Sequence, residues 1–247
     1  MRKKTIITRR EVILTGLTAL GGIILPGCSK KTPPTYGNIL RMGDNFTYIA
    51  QRALLPGQSM AKEYNHGDIS SFPATGTTNP GDTSWKYYSE DWAKINHNAF
   101  ADYKLSVEGR VARPKKYSLK ELQSFPSRTQ ITRHTCEEGW TAIGQWTGTP
   151  LGQVLQHAGI LPTARFVNFY GFDGFMECID MLDAFHPQTI LAYGMNGRDL
   201  PIAHGAPVRL RVEKQVGYKS VKYLQRIVVT DEFVDVGDTG WSWYVGM

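Results

Sequence analysis

The clearest pattern along the chain is a series of short runs in which apolar and polar residues alternate. Tyr103, Leu105 and Val107 alternate with Lys104, Ser106 and Glu108, which predicts a strand with one buried face. Val208, Leu210 and Val212 alternate with Arg209, Arg211 and Glu213 in the same way. Further strands are expected over 130–135, 165–170, 189–195 and 222–230. Asn196-Gly197 is a strong two-residue hairpin signal, and residues 198–202 would return from it. Helical signals are fewer. Ser118 and Glu121 have the spacing of a capping box, and Phe125-Pro126 would stop the helix they open. Leu151, Val154, Leu155 and Ala158 share one helical face. Thr149 is expected to cap that helix, Pro150 to take its first position and Gly159 to close it. Asp180 to Phe185 reads as a helical turn ended by His186-Pro187. Short strands with a few short helices predict a mixed α+β domain.

The stretch before these runs is patterned differently. Phe46 to Leu55 is partly helical and is stopped by Pro56-Gly57. Asp68 to Asp82 is rich in turn formers, so residues 38–89 read as ordered, irregular coil wrapping the domain. Lys30 to Gly37 is a polar, proline-bearing tether. The first 28 residues read as an export signal: a basic start, then an apolar run from Val12 to Leu25 broken by glycines and too short for a spanning helix. Thr8-Arg9-Arg10-Glu11-Val12-Ile13-Leu14 looks like a twin-arginine motif. Leu25-Pro26-Gly27-Cys28 resembles a lipoprotein cleavage box, which makes Cys28 the candidate lipidation site. The expected organisation is signal over 1–28, tether and wrapping segment over 29–86, and one domain over 87–247.

That signal changes the charge picture. The chain has 28 basic and 22 acidic residues, a net charge of +6. Residues 1–27 hold five of the basic residues and one acidic residue, which leaves 23 against 21. The basic balance belongs largely to the signal and gives no argument for a nucleic-acid partner. The three cysteines, Cys28, Cys136 and Cys178, do not make a disulfide framework.

Candidate chemistry concentrates in Ile131 to Leu155. Cys136 follows a predicted strand, and Glu137-Glu138-Gly139-Trp140 follow it. These charged, glycine-containing surroundings do not read as core. The run Cys136-Glu137-Glu138-Gly139-Trp140-Thr141, with Trp146-Thr147-Gly148-Thr149-Pro150-Leu151, resembles the molybdopterin-binding domain of the sulfite oxidase family. Leu191 to Gly197, His204 to Arg209 and Gly217 to Lys222 follow the order and spacing of the same family. The resemblance implies a sulfite-oxidase-type fold and a molybdenum–molybdopterin cofactor, with the Cys136 thiolate as the only protein ligand to the metal. It further implies cofactor contacts from Gly171, His204, Arg209, Ser220, Val221 and Lys222. Asn96 and His97 look like the family's Asn-His pair on the opposite wall, and Tyr193 matches a tyrosine near the metal. Elementary chemistry is consistent: a pterin phosphate needs cationic donors, and guanidinium meets phosphate as a fork.

The resulting expectation is an exported oxidoreductase, in the periplasm or cell envelope. It would move an oxygen atom to or from a small sulfur or nitrogen compound. No C-x-x-C-H haem signature is present, so a separate electron partner, a cytochrome or membrane haem protein, is implied. Membrane contact is expected only through the signal or lipid anchor. The chain ends soon after the domain, which favours a monomer. In sulfite oxidases an arginine precedes the Asn-His pair; Ile95 stands there, so an anion such as sulfite is expected to be a poor substrate. Arg133 would be the alternative source of charge. Other readings are a cysteine hydrolase using His97, His186 or His204 as base, a zinc site at His134 and Cys136, a turnover-deficient cofactor-binding homologue, and a cofactor-free envelope binding protein.

Overall fold

The computed structural model describes residues 59–234 together with 46, 49, 50, 53 and 54. The export signal, Cys28, the tether and most of the 46–55 segment lie outside the described residues. The described residues fall in one compact unit.

Two five-stranded sheets organise it. In chain order the elements are α1 (Glu90–His97), β1 (Lys104–Gly109), β2 (Lys115–Ser118), α2 (Leu119–Ser124), β3 (Arg128–Thr135), β4 (Thr141–Pro150) and α3 (Leu151–Ala158). There follow β5 (Phe166–Gly171), β6 (Met176–Asp180), α4 (Met181–Ala184), β7 (Ile190–Met195), β8 (Arg198–Asp199), β9 (Arg209–Arg211) and β10 (Leu224–Thr230). One sheet has the order β2-β1-β10-β5-β6; the other runs β3-β4-β7-β8, with β9 also paired to β7. Among the described strand pairs only β1–β10 is parallel. This is the predicted α+β arrangement.

The alternating runs become strands for the expected reason. Tyr103, Leu105 and Val107 are fully buried, and Val208, Leu210 and Val212 join them in one core cluster with Phe169, Ile227 and the apolar face of α3. Burial of each such side chain stabilises by roughly 1.5–3 kcal/mol. A smaller cluster, Trp146, Ile190, Ala192, Met195 and Leu200, lies apart from it. The capping box forms: Glu121 N–H donates to Ser118 Oγ, and Ser118 N–H donates to the Glu121 carboxylate. Gly159 closes α3 at φ 75°, and Asn196 and Gly197 take positive φ in the β7–β8 turn.

Two expectations need correction. Thr149 does not cap α3. Its hydroxyl donates to the Leu122 carbonyl at 2.6 Å, and Pro150 takes the N-cap position without a side-chain bond. Strand β4 runs through Pro150, which holds Thr149 in extended geometry pointing at α2. Helix α1 was not anticipated, because Trp92 is its one buried side chain and no apolar stripe announces it; Ser89 caps it.

Residues 59–89, irregular apart from a 3-10 turn at His66–Asp68, touch the rest of the unit at several points. Glu63 bridges Thr132 on the edge strand β3, Ser70 exchanges hydrogen bonds with Ile143, and Lys222 holds the carbonyls of Thr75 and Thr77.

Candidate cofactor site

A cavity of about 520 Å³ opens where five segments meet. They are the end of β3 with the turn after it, the turn after β5, the 3-10 turn Ile202–His204 with β9, the loop from Gly217 to Lys222, and the coil from Phe72 to Thr77.

Strand β3 delivers two residues to one wall. His134 and Cys136 are two apart, so they share a face, and both are buried. Beyond the strand, Cys136 N–H donates to the Trp140 carbonyl and Gly139 N–H returns to the Cys136 carbonyl, which closes a tight turn. The free thiol lies 3.6 Å from a Glu137 carboxylate oxygen and 3.9 Å from one of Glu138. Burial is the main cause that pushes the thiol's pKa up, and the two carboxylates add to it. A thiol so placed is a poor free nucleophile at neutral pH; a bound cation would be needed to hold it as thiolate. That weighs against the hydrolase reading. Among the described residues no group of three or more His, Cys, Asp or Glu is arranged around a metal position.

The opposite end is cationic. Arg209 is buried on β9 and donates to the carbonyls of His204 (3.0 Å) and Ser220 (2.9 Å), yet its Nε–H has no partner. Its guanidinium also lies over the Trp146 ring at 5.1 Å. Burial, then the neighbouring Arg211, brings its pKa down to about 9, so it remains charged at neutral pH. Lys222 donates to the carbonyls of Thr75 (2.8 Å), Thr77 and Ala203 (3.3 Å). Burial and Arg209 lower its pKa to about 7, against a smaller pull from Asp173. His204 lines the same end, and burial with Arg209 and Lys222 lowers it to about 4, so it is neutral. Two buried cations facing carbonyls, one with an orphaned N–H, fit a large ligand that brings its own negative charge. An unpaired buried donor otherwise costs about 1–3 kcal/mol.

The segments approach closely because of Gly217. A Cβ there would stand 2.5 Å from His134 Nε2. Beneath the loop, Lys219 is fully buried and donates to Glu177 (2.9 Å) and the Cys178 carbonyl (3.0 Å), which pins the loop to β6.

Of the residues expected from sequence, Cys136, His204, Arg209, Ser220, Val221 and Lys222 line the cavity together. Others do not. Asn96 is half-buried and His97 exposed on α1, and neither lines the cavity; the wall expected from them is built by Phe72 to Thr77. Gly171 stands behind the wall, where a Cβ would meet Asp173 Oδ1 at 2.5 Å and the Lys222 carbonyl at 2.8 Å. Tyr193 is half-buried against the larger core and is not among the lining residues. The alternation of β7 turns it away from the face that carries Ala192 and the Trp146 cluster. Ile95 packs against the same core, and Arg133 is exposed. Sequence reasoning missed Phe72, Asp173 and the cavity role of His134. Phe72 packs against the rings of His134, Trp140, Trp146 and His204 at 5.2–5.8 Å. No periodicity marks it, whereas the Asp173-Gly174 turn after a strand was a usable signal for Asp173.

Residues 92–235 match the family profile of the oxidoreductase molybdopterin-binding domain. The chain is 32% identical over 241 residues to a provisionally named protein-methionine-sulfoxide reductase subunit, YedZ1, of Azospira oryzae, a match covering 96% of this chain and 87% of that protein. It is 32% identical over 146 residues to the protein-methionine-sulfoxide reductase catalytic subunit MsrP of Ralstonia nicotianae, covering 53% of this chain and 44% of that one. The sulfane dehydrogenase SoxCD of Paracoccus pantotrophus superimposes with a TM-score of 0.51 at 24% identity, over 53% of this chain and 39% of that chain, and shares the fold. The chain belongs to the oxidoreductase molybdopterin-binding domain family, the sulfite oxidase family, and is a molybdopterin-dependent oxidoreductase that binds the molybdenum–molybdopterin cofactor.

Proposed function

We propose that this protein is an exported sulfoxide reductase in which Cys136 is the protein ligand to molybdenum. One observation carries the assignment of the ligand. The Cys136 thiol opens into the same cavity as Arg209, whose Nε–H lacks a partner. Arg209 and Lys222 suit the anionic end of a pterin, and the soft sulfur of Cys136 suits the metal. The bound group supplies two-electron oxygen-atom chemistry. The chain's own residues position it, exclude water and set the charge around the substrate.

That charge supports a neutral substrate. Glu137 and Glu138 flank the thiol, while the cations lining the cavity, Arg209 and Lys222, are held by carbonyls of other segments. An anion approaching Cys136 meets two carboxylates, and no arginine stands at position 95. A neutral sulfoxide avoids this repulsion. Its reduction breaks the S–O bond, consumes two electrons and two protons, and leaves a thioether and water. The names carried by both curated relatives support the same direction. Electrons would come from a separate redox protein, a cytochrome or membrane haem protein, because the sequence has no haem attachment signature. Export by the twin-arginine route and lipidation at Cys28 complete the proposal.

The test is purification of the mature protein, measurement of molybdenum and pterin per chain, and a substrate panel run with artificial electron donors and acceptors in parallel. Sulfoxide reduction should outrun sulfite oxidation, and Cys136→Ser should abolish turnover while keeping most of the pterin. An active Cys136→Ser variant with unchanged metal spectra overturns the ligand assignment. Replacing Arg9 and Arg10 by lysine should leave holoprotein in the cytoplasm, and Cys28→Ala should remove lipid labelling.

A further inference from the structure

His134 is a residue of the cavity wall to which the resemblance assigns no role. It is buried on β3, lines the cavity, and stands two residues before Cys136 on the same face, about 7 Å along the strand. Behind it runs a fully buried polar chain. Gln130 Nε2 donates to Glu213 Oε1 at 3.0 Å. Arg211 gives its Nε and Nη2 hydrogens to the two oxygens of Glu213, at 3.1 and 2.7 Å. The remaining arm, Arg211 Nη1, lies 2.7 Å from His134 Nδ1.

This contact has one reading in hydrogen-bond terms. Guanidinium has donors only, so His134 Nδ1 accepts, and the ring hydrogen must be on Nε2. Glu213 holds the guanidinium as a fork, so the donor cannot swing away without leaving two buried carboxylate oxygens short of partners. Nε2 makes no hydrogen bond among the described residues and is not sealed from the cavity. The ring's free edge rests against Gly217, where a Cβ would stand 2.5 Å from Nε2 and 2.6 Å from Cε1. The glycine therefore leaves that edge open. Phe72 packs over the ring at 5.2 Å and Trp140 at 5.4 Å, which fixes its plane.

We propose that His134 is a fixed hydrogen-bond donor to the bound cofactor, its Nε2–H presented to a sulfur or oxygen acceptor beside Cys136 and its orientation set by the Arg211–Glu213 pair. The inference rests on the cofactor reading above. In this role His134 neither gives up nor takes a proton. It contributes a directed N–H, and Arg211 acts through it as a positioning residue. A donor on an acceptor atom near a metal stabilises the more electron-rich state, so it also raises the metal's reduction potential.

Holoprotein labelled with 15N-histidine tests this directly. Long-range 1H–15N correlation, with the His134 signals assigned by their loss in His134→Gln, should show hydrogen on Nε2 and a bare, accepting Nδ1. Arg211→Met should remove that pattern. His134→Phe should lower pterin retention about fivefold and move the metal's reduction potential downward, whereas His134→Gln, which keeps an N–H at the end of the side chain, should recover most of the retention. A hydrogen on Nδ1 in the holoprotein overturns the proposal. So does a folded His134→Phe variant with unchanged pterin content and unchanged potential, even where the substrate results stand. Protein that carries no molybdenum or pterin sinks the cofactor reading and this inference together; holoprotein that is inactive on sulfoxides but shows the expected His134 pattern sinks the substrate proposal alone.

Discussion

Arg209 and Arg211 stand two residues apart on β9 and are both buried, yet they belong to different regions of the molecule. Arg211 is part of a closed network: Glu213 takes two of its arms, His134 a third, and Gln130 reaches the same carboxylate. The Lys219–Glu177 pair under the 217–222 loop is closed in the same way. Arg209 and Lys222 have no carboxylate partner within ion-pair distance among the described residues, and Arg209 keeps an unused N–H. A buried charge that is fully paired holds structure. A buried charge paired only with carbonyls costs stability until a ligand arrives, and so marks where the ligand binds.

The largest effect should come from breaking the closed region. Lys219→Met removes the cation paired with the buried Glu177, and removal of one member of a buried pair costs about 3–5 kcal/mol. Urea denaturation should register it in apoprotein and holoprotein alike. The double variant Lys219→Met with Glu177→Met should recover much of the loss, because well-packed apolar residues can replace a buried pair. A single variant as stable as the parent would remove the distinction between the two regions.

Arg209→Met should do the opposite. It deletes a charge that lacks a carboxylate, so apoprotein stability should hold or rise. Cofactor affinity should fall by about 1.5–3 kcal/mol, the range for a charge-assisted hydrogen bond. Pterin content after dialysis, set beside a denaturation curve of apoprotein, separates the two. A destabilised apoprotein with normal pterin content would make Arg209 structural.

Gly217→Ala sharpens the boundary between the regions. The added methyl would meet His134 Nε2 at 2.5 Å, and His134 is held by Arg211 and by the rings of Phe72 and Trp140, so it has little freedom to yield. Overpacking of this kind costs about 1–3 kcal/mol. The loss should appear in stability, and the same variant should shift the His134 ring signals. A variant with neither change would show that the loop relaxes freely.

The two regions were unequally legible in the sequence. Strand β1 was readable because alternation directly reflects burial on one sheet face. The helix α3 was readable from its apolar face and closing glycine, although its cap was not, since Thr149 is claimed by a distant carbonyl on α2. Cys136, His204, Arg209 and the 220–222 segment were readable because three motifs kept their order. The closed network was not: Arg211 and Glu213 are neighbours on one strand face, but His134 lies 77 residues before Arg211, and nothing in the sequence pairs them. Asn96-His97 stands on α1 outside the cavity lining, and such a dipeptide can sit at any exposed helix end. Tyr193 matched its motif while facing the core, because a motif gives position along a strand and the strand's register decides which face it presents. The coil 72–77 was legible only as part of a turn-rich stretch, with nothing to mark it as a wall of the cavity.

Lys222 gives the smallest and most specific effect. Its ordinary pKa near 10.5 is lowered to about 7 in the folded, ligand-free protein, first by burial and then by Arg209. Below about pH 7 the amine is charged in both folded and unfolded chains, and the folded state bears the full cost of the buried charge. Between about pH 7 and 10.5 the unfolded chain binds more protons than the folded one, so stability rises with pH across that window; above it both forms are neutral. Apoprotein should therefore gain stability from pH 7 upward, and Lys222→Met should lose that slope. Bound pterin brings negative charge to this end of the cavity, which favours the charged amine and should flatten the slope in holoprotein. Denaturation curves of apoprotein, holoprotein and Lys222→Met at several pH values make the comparison. An identical slope in all three would mean that Lys222 takes no part in the pH response and faces no ligand charge.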